Sequence, residues 1–204
     1  MKHSIYFIIL LFTANFCVQA QTIQGTFSQL NNKNLKLKGF DGFETYLIDE
    51  SITDSLGHFS LKYDEKDYGM GLIQTEGNKP LIVILSSQNT RLIAEAPHLK
   101  EKLKIVKGAE NQALIQYATE QPKREQVLNA WSYLEKYYQS DSLFNKNRTP
   151  IEDINKEIAR LDLEEQAFLD QLPKDSYAKW FLPHRKLIAS VQQIAQYRTE
   201  EIPA

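Results

Sequence analysis

The stretch Lys104-Ile105-Val106-Lys107-Gly108-Ala109-Glu110-Asn111 marks the point at which the hydrophobic period of the chain changes. Before Gly108, apolar residues recur at every second position, which is the period of a half-buried β-strand. After Gly108 they recur at every third or fourth position, which is the period of an amphipathic helix. We therefore divide the chain into a β-rich region, residues 21–108, and a helical region, residues 109–204, and predict an α+β fold.

Short segments of alternating polarity fill the β-rich region. Their apolar positions are Ile23, Gly25, Phe27, Leu35, Leu37, Phe59, Leu61 and Tyr63. The run Leu81–Leu85 is apolar throughout, which is typical of a central strand covered on both faces, and residues 91–96 and 103–107 are predicted as later strands. The turn signals between the strands are Asn31-Asn32, Asp41-Gly42, Leu56-Gly57 and Gly77-Asn78. This spacing predicts an antiparallel β-sandwich or a partly open barrel.

The helical region contains two amphipathic patterns that predict a pair of helices. The first pattern is Val127, Trp131, Leu134 and Tyr138. The second pattern is Ile151, Ile154, Ile158, Leu161, Phe168 and Leu172. Residues three or four positions apart lie on the same helix face, so each pattern forms one apolar stripe. Two such stripes in succession predict an antiparallel helical hairpin.

The second of these helices has its own start and stop signals. Thr149 is the predicted cap, Pro150 suits the first helical position, and Glu152 completes a capping box. Pro173 should end the helix, because proline lacks the backbone N–H that a helix interior needs. A further helix follows and is expected to break at Pro183. Its apolar residues are Tyr177, Trp180, Phe181, Leu187, Val191 and Ile194.

Residues 1–20 have the pattern of a secretory signal peptide. Lys2 and His3 precede an apolar run over residues 5–12, and Val18-Gln19-Ala20 supplies the small residues of a signal-peptidase site. A membrane anchor is the alternative interpretation. It is disfavoured because the apolar run falls short of the roughly 20 residues that span a bilayer.

Cys17 is the one cysteine of the chain. A lipoprotein signal would use it, but Phe16 stands where such signals need a small residue. Cleavage after Ala20 removes Cys17 and leaves residues 21–204 without a thiol, so we expect no disulfide and no thiol chemistry in the mature chain. We also expect the protein to be exported to the periplasm or cell envelope.

The composition excludes several classes of partner and fold. The chain has 204 residues, of which 42% are hydrophobic, so it is long enough and apolar enough to bury a core. Its net charge of −2 gives no electrostatic reason to bind nucleic acid or anionic lipid. We therefore expect no nucleic-acid partner and no transmembrane span in the mature chain.

No constellation of residues indicates catalysis or metal binding. The mature histidines, His58, His98 and His184, have no second ligand at the spacing of a zinc site. The chain lacks the Gly-x-Ser-x-Gly pentapeptide of serine hydrolases, a phosphate loop and a dinucleotide fingerprint. We therefore assign no catalytic, cofactor-binding or metal-ligating residue, expect no cofactor, and expect no enzymatic activity from the chain as given.

Three charged clusters are interpreted as solvated surface. Asp64, Glu65 and Asp67 could bind calcium, but they lack the regular alternation of a calcium loop. Glu164 and Glu165 are adjacent on a helix, so they point about 100° apart and cannot act together as acid and base. The third cluster alternates with apolar residues, as the wet face of a strand does. It comprises Lys100, Lys102, Lys104 and Lys107.

Four aromatic residues of the first predicted helix could stack on a ligand or pack in a core. Trp131 and Tyr138 belong to the apolar stripe, so core packing is favoured for these two. Tyr133 and Tyr137 lie off the stripe, and we expect them to be exposed. Exposed aromatic residues are enriched at protein interfaces, so this pair suggests a partner surface.

Four features follow one another along the chain. After the signal peptide come the strand Ile23-x-Gly25-x-Phe27, the turn Asp54-Ser55-Leu56-Gly57-His58-Phe59, and the junction Gly108-Ala109-Glu110-Asn111 leading into helices. Over about residues 22–200, this order resembles the accessory region that precedes the thioredoxin fold in TlpA-like, thiol-specific-antioxidant-like proteins of bacterial cell envelopes. The junction is the more specific marker of the likeness.

In that family a strand-rich domain of unknown function is followed by a helical segment and then by a redoxin domain that carries Cys-x-x-Cys. The resemblance implies that residues 21–108 are the accessory domain and residues 109–204 the helical segment. The redoxin domain would lie after Ala204, so the family's catalytic cysteines have no positions here. We expect a truncated gene product or part of a longer oxidoreductase, with a thioredoxin-like domain or another envelope protein as partner.

Three functions remain open at this point. The first is a non-catalytic, secreted accessory module that positions or recruits a thiol–disulfide partner. The second is a free-standing envelope binding protein, in which the sandwich or the exposed tyrosines hold a peptide, a glycan or a lipid. The third is a hydrolase that acts through carboxylates, for which the sequence offers no paired acid and base.

Overall fold

The computed structural model describes residues 20–99 and 102–184. The predicted signal peptide lies outside these residues except for its last position, and so does Cys17. Lys100 and the predicted helical continuation through Leu187, Val191 and Ile194 also lie outside them. The described residues therefore cover most of the β-rich region and the helices up to residue 184.

Two four-stranded sheets form the β-rich region, and the helices follow it, so the predicted α+β class is confirmed. The strands are β1 (Gln21–Phe27), β2 (Asn34–Asp41), β3 (Glu44–Ile52), β4 (His58–Tyr63), β5 (Gly69–Gln74), β6 (Leu81–Leu85), β7 (Thr90–Ala94) and β8 (Lys104–Lys107). The first sheet has the order β4-β1-β7-β8 and the second the order β3-β2-β5-β6.

One strand pair departs from the predicted antiparallel arrangement. β1 and β7 run parallel, with Gly25 opposite Leu92. After β1 the chain forms β2 and β3 in the second sheet and comes back to the first sheet as β4. It then forms β5 and β6 in the second sheet and returns as β7 along the edge of β1 that β4 leaves open. Gly25 permits this close pairing, because a Cβ atom there would lie 2.3 Å from the backbone oxygen of Leu92. Alternating polarity specifies a strand's two faces but not its direction, so the sequence could not predict this pair.

One hydrophobic core lies between the two sheets, an arrangement compatible with a β-sandwich. Its buried residues come from both sheets: Ile23, Phe27, Leu30, Leu35, Leu37, Phe59, Leu61, Tyr63, Ile73, Leu81, Val83, Leu85, Leu92 and Ala94. Within this core, the rings of Phe27 and Phe59 stack with centroids 4.8 Å apart. The predicted inward positions on β1, β2 and β4 are confirmed except at Gly25, which is only half-buried.

β6 is an edge strand and not the predicted central strand. Its outer edge is covered by the side chain of Asn111, whose Oδ1 accepts the N–H of Ile84 at 2.8 Å and whose Nδ2 donates to the Ile84 oxygen at 2.8 Å. The amide group thus takes the place of a neighbouring strand. Ile84 is buried against the helices, whereas Ile82 is 42% exposed, so the apolar run is only partly covered on its outer face.

Two long helices and a further helical segment follow β8. They are α1 (Ala109–Ser140), α2 (Thr149–Asp170) and α3 (residues 177–184). A second core joins these helices to β6. Its buried residues are Ile84, Ala113, Leu114, Tyr117, Leu169, Ala178 and Leu182. The first turns of α1, the end of α2 and α3 are therefore packed onto the second sheet.

The predicted apolar stripe is confirmed at the centre of α2 and is wrong for most of α1. Ile154 and Leu161 of α2 are buried, whereas Val127 and Leu134 of α1 are 43% and 41% exposed. The buried residues of α1 all lie between positions 111 and 121. Beyond Gln121, this amphipathic face is only partly covered, so periodicity alone overstated its burial.

The predicted helix signals hold in part. Pro150 lies in the first turn of α2, as expected, but Arg148 occupies the cap and makes no side-chain capping bond. Thr149 lies inside the helix, where its N–H donates to Oδ1 of Asn147 at 3.1 Å, so the capping box is absent. α2 ends before Pro173, as predicted. The predicted break at Pro183 is wrong, because residues 177–184 are helical throughout. Pro122 likewise lies inside α1 without ending it.

Candidate functional site

An aromatic groove of about 620 Å³ lies between the outer face of the second sheet and α3. We call this cavity the aromatic groove. Its rings are Phe40, Tyr46, Tyr68, Tyr177, Trp180 and Phe181. Volumes of this size are typical of small-molecule and peptide sites, which combine apolar walls with a few polar groups.

Two strands, the turn before β5 and α3 place these rings together. Phe40 and Tyr46 project from β2 and β3, and Tyr68 comes directly before β5. On α3, Tyr177 and Trp180 are three positions apart, so they share a helix face and their centroids lie 5.4 Å apart. Trp180 is 58% exposed, so its ring remains available to a ligand.

Asp67 connects the turn between β4 and β5 to the aromatic groove through two hydrogen bonds. The hydroxyl of Tyr46 donates to Oδ1 of Asp67 at 3.0 Å, and the N–H of Asp64 donates to Oδ2 at 2.9 Å. Asp67 is only 5% exposed, so the interpretation of this acidic cluster as a solvated turn is wrong at this residue. The hydroxyl of Tyr46, many positions away, makes the burial of this carboxylate possible.

Negative charge surrounds the lining tyrosines. Desolvation raises the pKa of Tyr46, and the hydrogen bond to Asp67 and the charges of Asp67 and Asp41 raise it further. Desolvation also raises the pKa of Tyr68, with a smaller contribution from Glu65. Both tyrosines therefore keep their phenol protons at neutral pH, and the hydroxyl of Tyr46 remains a donor to Asp67.

A second, more polar pocket of about 450 Å³ adjoins the aromatic groove and shares Tyr68, Tyr177 and Trp180 with it. We call it the polar pocket. Its charged and hydroxyl groups belong to Ser86, Ser87, Glu110, Lys174, Asp175 and Ser176. Oε2 of Glu110 accepts the N–H of Ala178 at 3.0 Å, which fixes the beginning of α3 beside the pocket.

Tyr63 holds the loop after β6, which contributes Ser86 and Ser87 to the lining of the polar pocket. Its hydroxyl donates to the backbone oxygens of Ser86 and Gln88, at 2.9 and 2.8 Å. Burial raises the pKa of Tyr63 to about 12. This tyrosine therefore acts as a neutral hydrogen-bond donor that holds the connection between the two sheets.

The predicted exposure of Tyr133 and Tyr137 is confirmed, at 61% and 41%. Their hydroxyl oxygens lie 3.0 Å apart, and this hydrogen bond is the main cause of a raised pKa at Tyr137. Trp131 and Tyr138 are half-buried, so the predicted core packing is only partial. Tyr138 contacts Phe144 with centroids 5.7 Å apart.

The two glutamates that the sequence indicates as solvent-facing have different environments. Glu164 is exposed and pairs with Arg160 at 2.5 Å, as expected. Glu165 is only 7% exposed, and its Oε1 accepts the hydroxyl of Tyr117 at 2.7 Å. The prediction of an ordinary surface charge is therefore wrong for Glu165, which lies between α1 and α2.

His58 has a carboxylate partner that the spacing analysis missed. Its Nδ1 lies 2.8 Å from Oδ2 of Asp54, four positions earlier, on the exposed turn before β4. Hydrogen bonds from the backbone and the side chain of His58 lower the pKa of Asp54. Nδ1 of His184 lies 2.5 Å from the backbone oxygen of Trp180. Within residues 20–99 and 102–184, no group of three or more potential ligands is placed to hold a metal ion.

The lysine cluster has the predicted exposure where the structure describes it. Lys104 and Lys107 are exposed on β8, and Lys102 pairs with Glu95 at 2.6 Å. The helices among the described residues are too short or too polar to cross a membrane.

Sequence reasoning missed the aromatic groove. It identified Tyr177, Trp180 and Phe181 as apolar positions of a helix but did not assign them to a site. The spacing of these three residues is the one local signal that points to the groove. Their partners on the second sheet are more than a hundred positions earlier, so only the fold brings the rings together.

No family model matches the chain, and no curated protein matches it. Among solved structures, the chain is similar to the crystal structure of a 9R-lipoxygenase from Cyanothece PCC8801, with 20% sequence identity and a TM-score of 0.26. The match covers 38% of this chain and 17% of that chain, and a likeness this weak carries no argument about fold or function.

Proposed function

We propose that this chain is a non-catalytic accessory module of cell-envelope, thioredoxin-like thiol–disulfide oxidoreductases. In this role, the sandwich carries the helices in a fixed direction, and the helices position or recruit the redox partner. The proposal starts from the family resemblance of the junction Gly108-Ala109-Glu110-Asn111. It is supported by what the last two residues of the junction do.

The junction attaches the helices to the sandwich. Asn111 is 2% exposed and bonds to both backbone groups of Ile84, and its Nδ2 also lies 3.0 Å from Oγ1 of Thr90 on β7. Glu110 holds the beginning of α3. One turn of α1 thus contacts β6, β7 and α3 through side chains, and this observation carries the proposal.

We further propose that α1 and α2 form an antiparallel hairpin that serves as the spacer. Near the sandwich, the rings of Tyr117 on α1 and Phe168 on α2 have centroids 6.0 Å apart. At the other end, Tyr137 and Tyr138 contact Phe144 in the connection between the helices. The exposed Tyr133 and Tyr137 would lie at the end away from the sandwich, where a redox partner could dock.

Export to the periplasm or cell envelope belongs to the same proposal. The mature chain would then have no thiol, since Cys17 is the one cysteine of the sequence. Any thiol–disulfide chemistry must therefore come from the partner.

The accessory role is tested by the reduction of insulin by dithiothreitol, followed as turbidity, with residues 21–204 present at increasing concentration. We expect the rate to equal that with dithiothreitol alone. A thioredoxin serves as the positive control, and the same chain after heat denaturation corrects for nonspecific effects on aggregation. A rate that rises in proportion to the folded chain would contradict the proposal.

A second candidate function is a free-standing envelope binding protein. The aromatic groove favours it, because exposed Trp180 and the surrounding tyrosines provide apolar area at little cost in side-chain entropy. The two functions differ in what they require of the groove. A binding protein needs a saturable ligand there, and an accessory module does not.

A further inference from the structure

The surroundings of the aromatic groove carry more negative than positive charge. Asp67 belongs to its lining, and Asp41 and Glu65 lie near enough to act on the lining tyrosines. Lys66 supplies positive charge in the same lining. One carboxylate in the lining and two nearby thus outnumber the one ammonium group of the lining, and a ligand with positive charge would be attracted.

The polar pocket repeats this imbalance on a smaller scale. Glu110 and Asp175 line it together with Lys174. Because the pocket shares Tyr68, Tyr177 and Trp180 with the aromatic groove, the two cavities form one continuous surface. An extended segment can therefore contact both cavities.

The rings of the shared wall attract cations as well. The face of an aromatic ring carries partial negative charge, and tryptophan gives the strongest cation–π interaction. Trp180 is 58% exposed and lies beside Tyr177, with centroids 5.4 Å apart. Ring faces and carboxylates thus favour the same kind of ligand, whereas an anionic lipid headgroup would be repelled.

We infer that the aromatic groove and the polar pocket form a docking site for a basic, arginine-containing segment of a partner protein. This inference deepens the binding function proposed above and rests on it. The planar guanidinium group stacks on aromatic rings while its N–H groups donate to carboxylates, a combination that the lysine ammonium provides less well. The charge complementarity of ring faces and carboxylates therefore selects arginine.

The test uses a short peptide with three arginines separated by glycines, and a matched peptide with the neutral isostere citrulline at the same positions. Binding to residues 21–204 is measured by isothermal titration calorimetry and by tryptophan fluorescence. Trp131→Phe is introduced into all proteins so that Trp180 is the remaining fluorophore of the two tryptophans. The arginine peptide should bind at least about tenfold more tightly at low salt, and the difference should shrink as added salt screens the charges.

Two variants locate the site. Trp180→Ala should weaken binding of the arginine peptide by about tenfold, and Glu65→Gln, which removes one nearby charge, by about threefold. Leu163→Ala is the matched control, because it removes an exposed apolar side chain on α2 and should leave the affinity unchanged. Circular dichroism melts check that each variant folds.

The outcomes separate this inference from the proposed functions. Equal affinity for the two peptides, or binding that Trp180→Ala leaves intact, overturns the assignment of a basic ligand. If a neutral peptide or glycan binds and Trp180→Ala abolishes that binding, the result supports the binding function and contradicts the inference that the ligand is basic. If the arginine peptide does not bind at all, the inference is wrong, and the accessory role still depends on the insulin assay.

Discussion

Replacement of Asn111 by alanine should destabilise the protein, because it removes the side chain that covers the outer edge of β6. The substitution leaves the N–H and the carbonyl oxygen of Ile84 without their partners at 2.8 Å. It also removes a contact to Oγ1 of Thr90. A buried polar group without a partner costs about 1–3 kcal/mol.

The expected loss follows from these two orphaned groups. Their combined cost is about 2–6 kcal/mol if no water reaches them. Because β6 lies at a sheet edge, water can reach part of this surface after truncation, and we expect a decrease in the free energy of unfolding of about 2–4 kcal/mol. For a protein of this size, each kcal/mol lowers Tm by about 2–4 °C.

Urea unfolding followed by circular dichroism measures this loss. Gln112→Ala is the matched control, because Gln112 is exposed and makes one bond to the Ile105 oxygen at 3.2 Å. Gln112→Ala should lower the free energy of unfolding by no more than about 0.5 kcal/mol. Asn111→Asp keeps an acceptor for the Ile84 N–H but sets a buried carboxylate oxygen against the Ile84 carbonyl oxygen, so at neutral pH it should lower the free energy of unfolding at least as much as Asn111→Ala. If Asn111→Ala costs no more than Gln112→Ala, the role given to the junction is refuted.

Three further substitutions test the fold and its polar contacts. Gly57→Ala should lower the free energy of unfolding by about 3 kcal/mol, because φ is +81° and the added Cβ would lie 2.1 Å from a backbone oxygen. Gly77→Ala is the control: φ is +77° but the surrounding space is open, so the loss should be about 1 kcal/mol. Equal decreases in Tm for the two variants would contradict this reasoning. Tyr117→Phe removes a 2.7 Å hydrogen bond to a buried carboxyl group and should cost about 1–3 kcal/mol in urea unfolding, against almost nothing for the exposed Tyr133→Phe. The raised pKa of Tyr63 means that its contribution to stability is complete below the unfolded pKa of about 10 and is lost as pH rises towards about 12. Tyr63→Phe should therefore lose less stability than the wild type over this alkaline range, and an unchanged pH dependence would show that the group does not titrate there.

The alternation of the β-rich region predicted its inward residues because burial of one strand face imposes a period of two. The same pattern contains no information about which strands are neighbours. The run Leu81–Leu85 was therefore assigned to a sheet centre although β6 lies at an edge. The residue that covers this edge, Asn111, is polar, and nothing local distinguishes it from a surface asparagine.

Buried carboxyl groups were the least predictable feature. Glu165 and Asp67 have the sequence context of surface charges, and the partner of Glu165 is 48 positions away. Whether such a group can be buried depends on a hydroxyl donor that only the folded chain supplies. The tyrosines in question, Tyr117 and Tyr46, have many equally plausible partners in the sequence.

The aromatic groove was unpredictable for a related reason. Tyr177 and Trp180 have the spacing of a helix stripe, and that spacing is the same for core packing and for ligand binding. Phe40 and Tyr46 come from strands of another part of the chain. Their common surface is a property of the packing of α3 against the second sheet.

The proposed fixed direction of the helices relative to the two sheets can be tested by measuring a distance. Residues 21–204 contain no cysteine, so Lys36→Cys on the outer face of the second sheet and Gln139→Cys near the end of α1 provide two exposed positions for spin labels. Double electron–electron resonance should give one narrow distance distribution, which Asn111→Ala broadens. A broad distribution in the protein with Asn111 intact would contradict the proposal that the sandwich holds its helices in place.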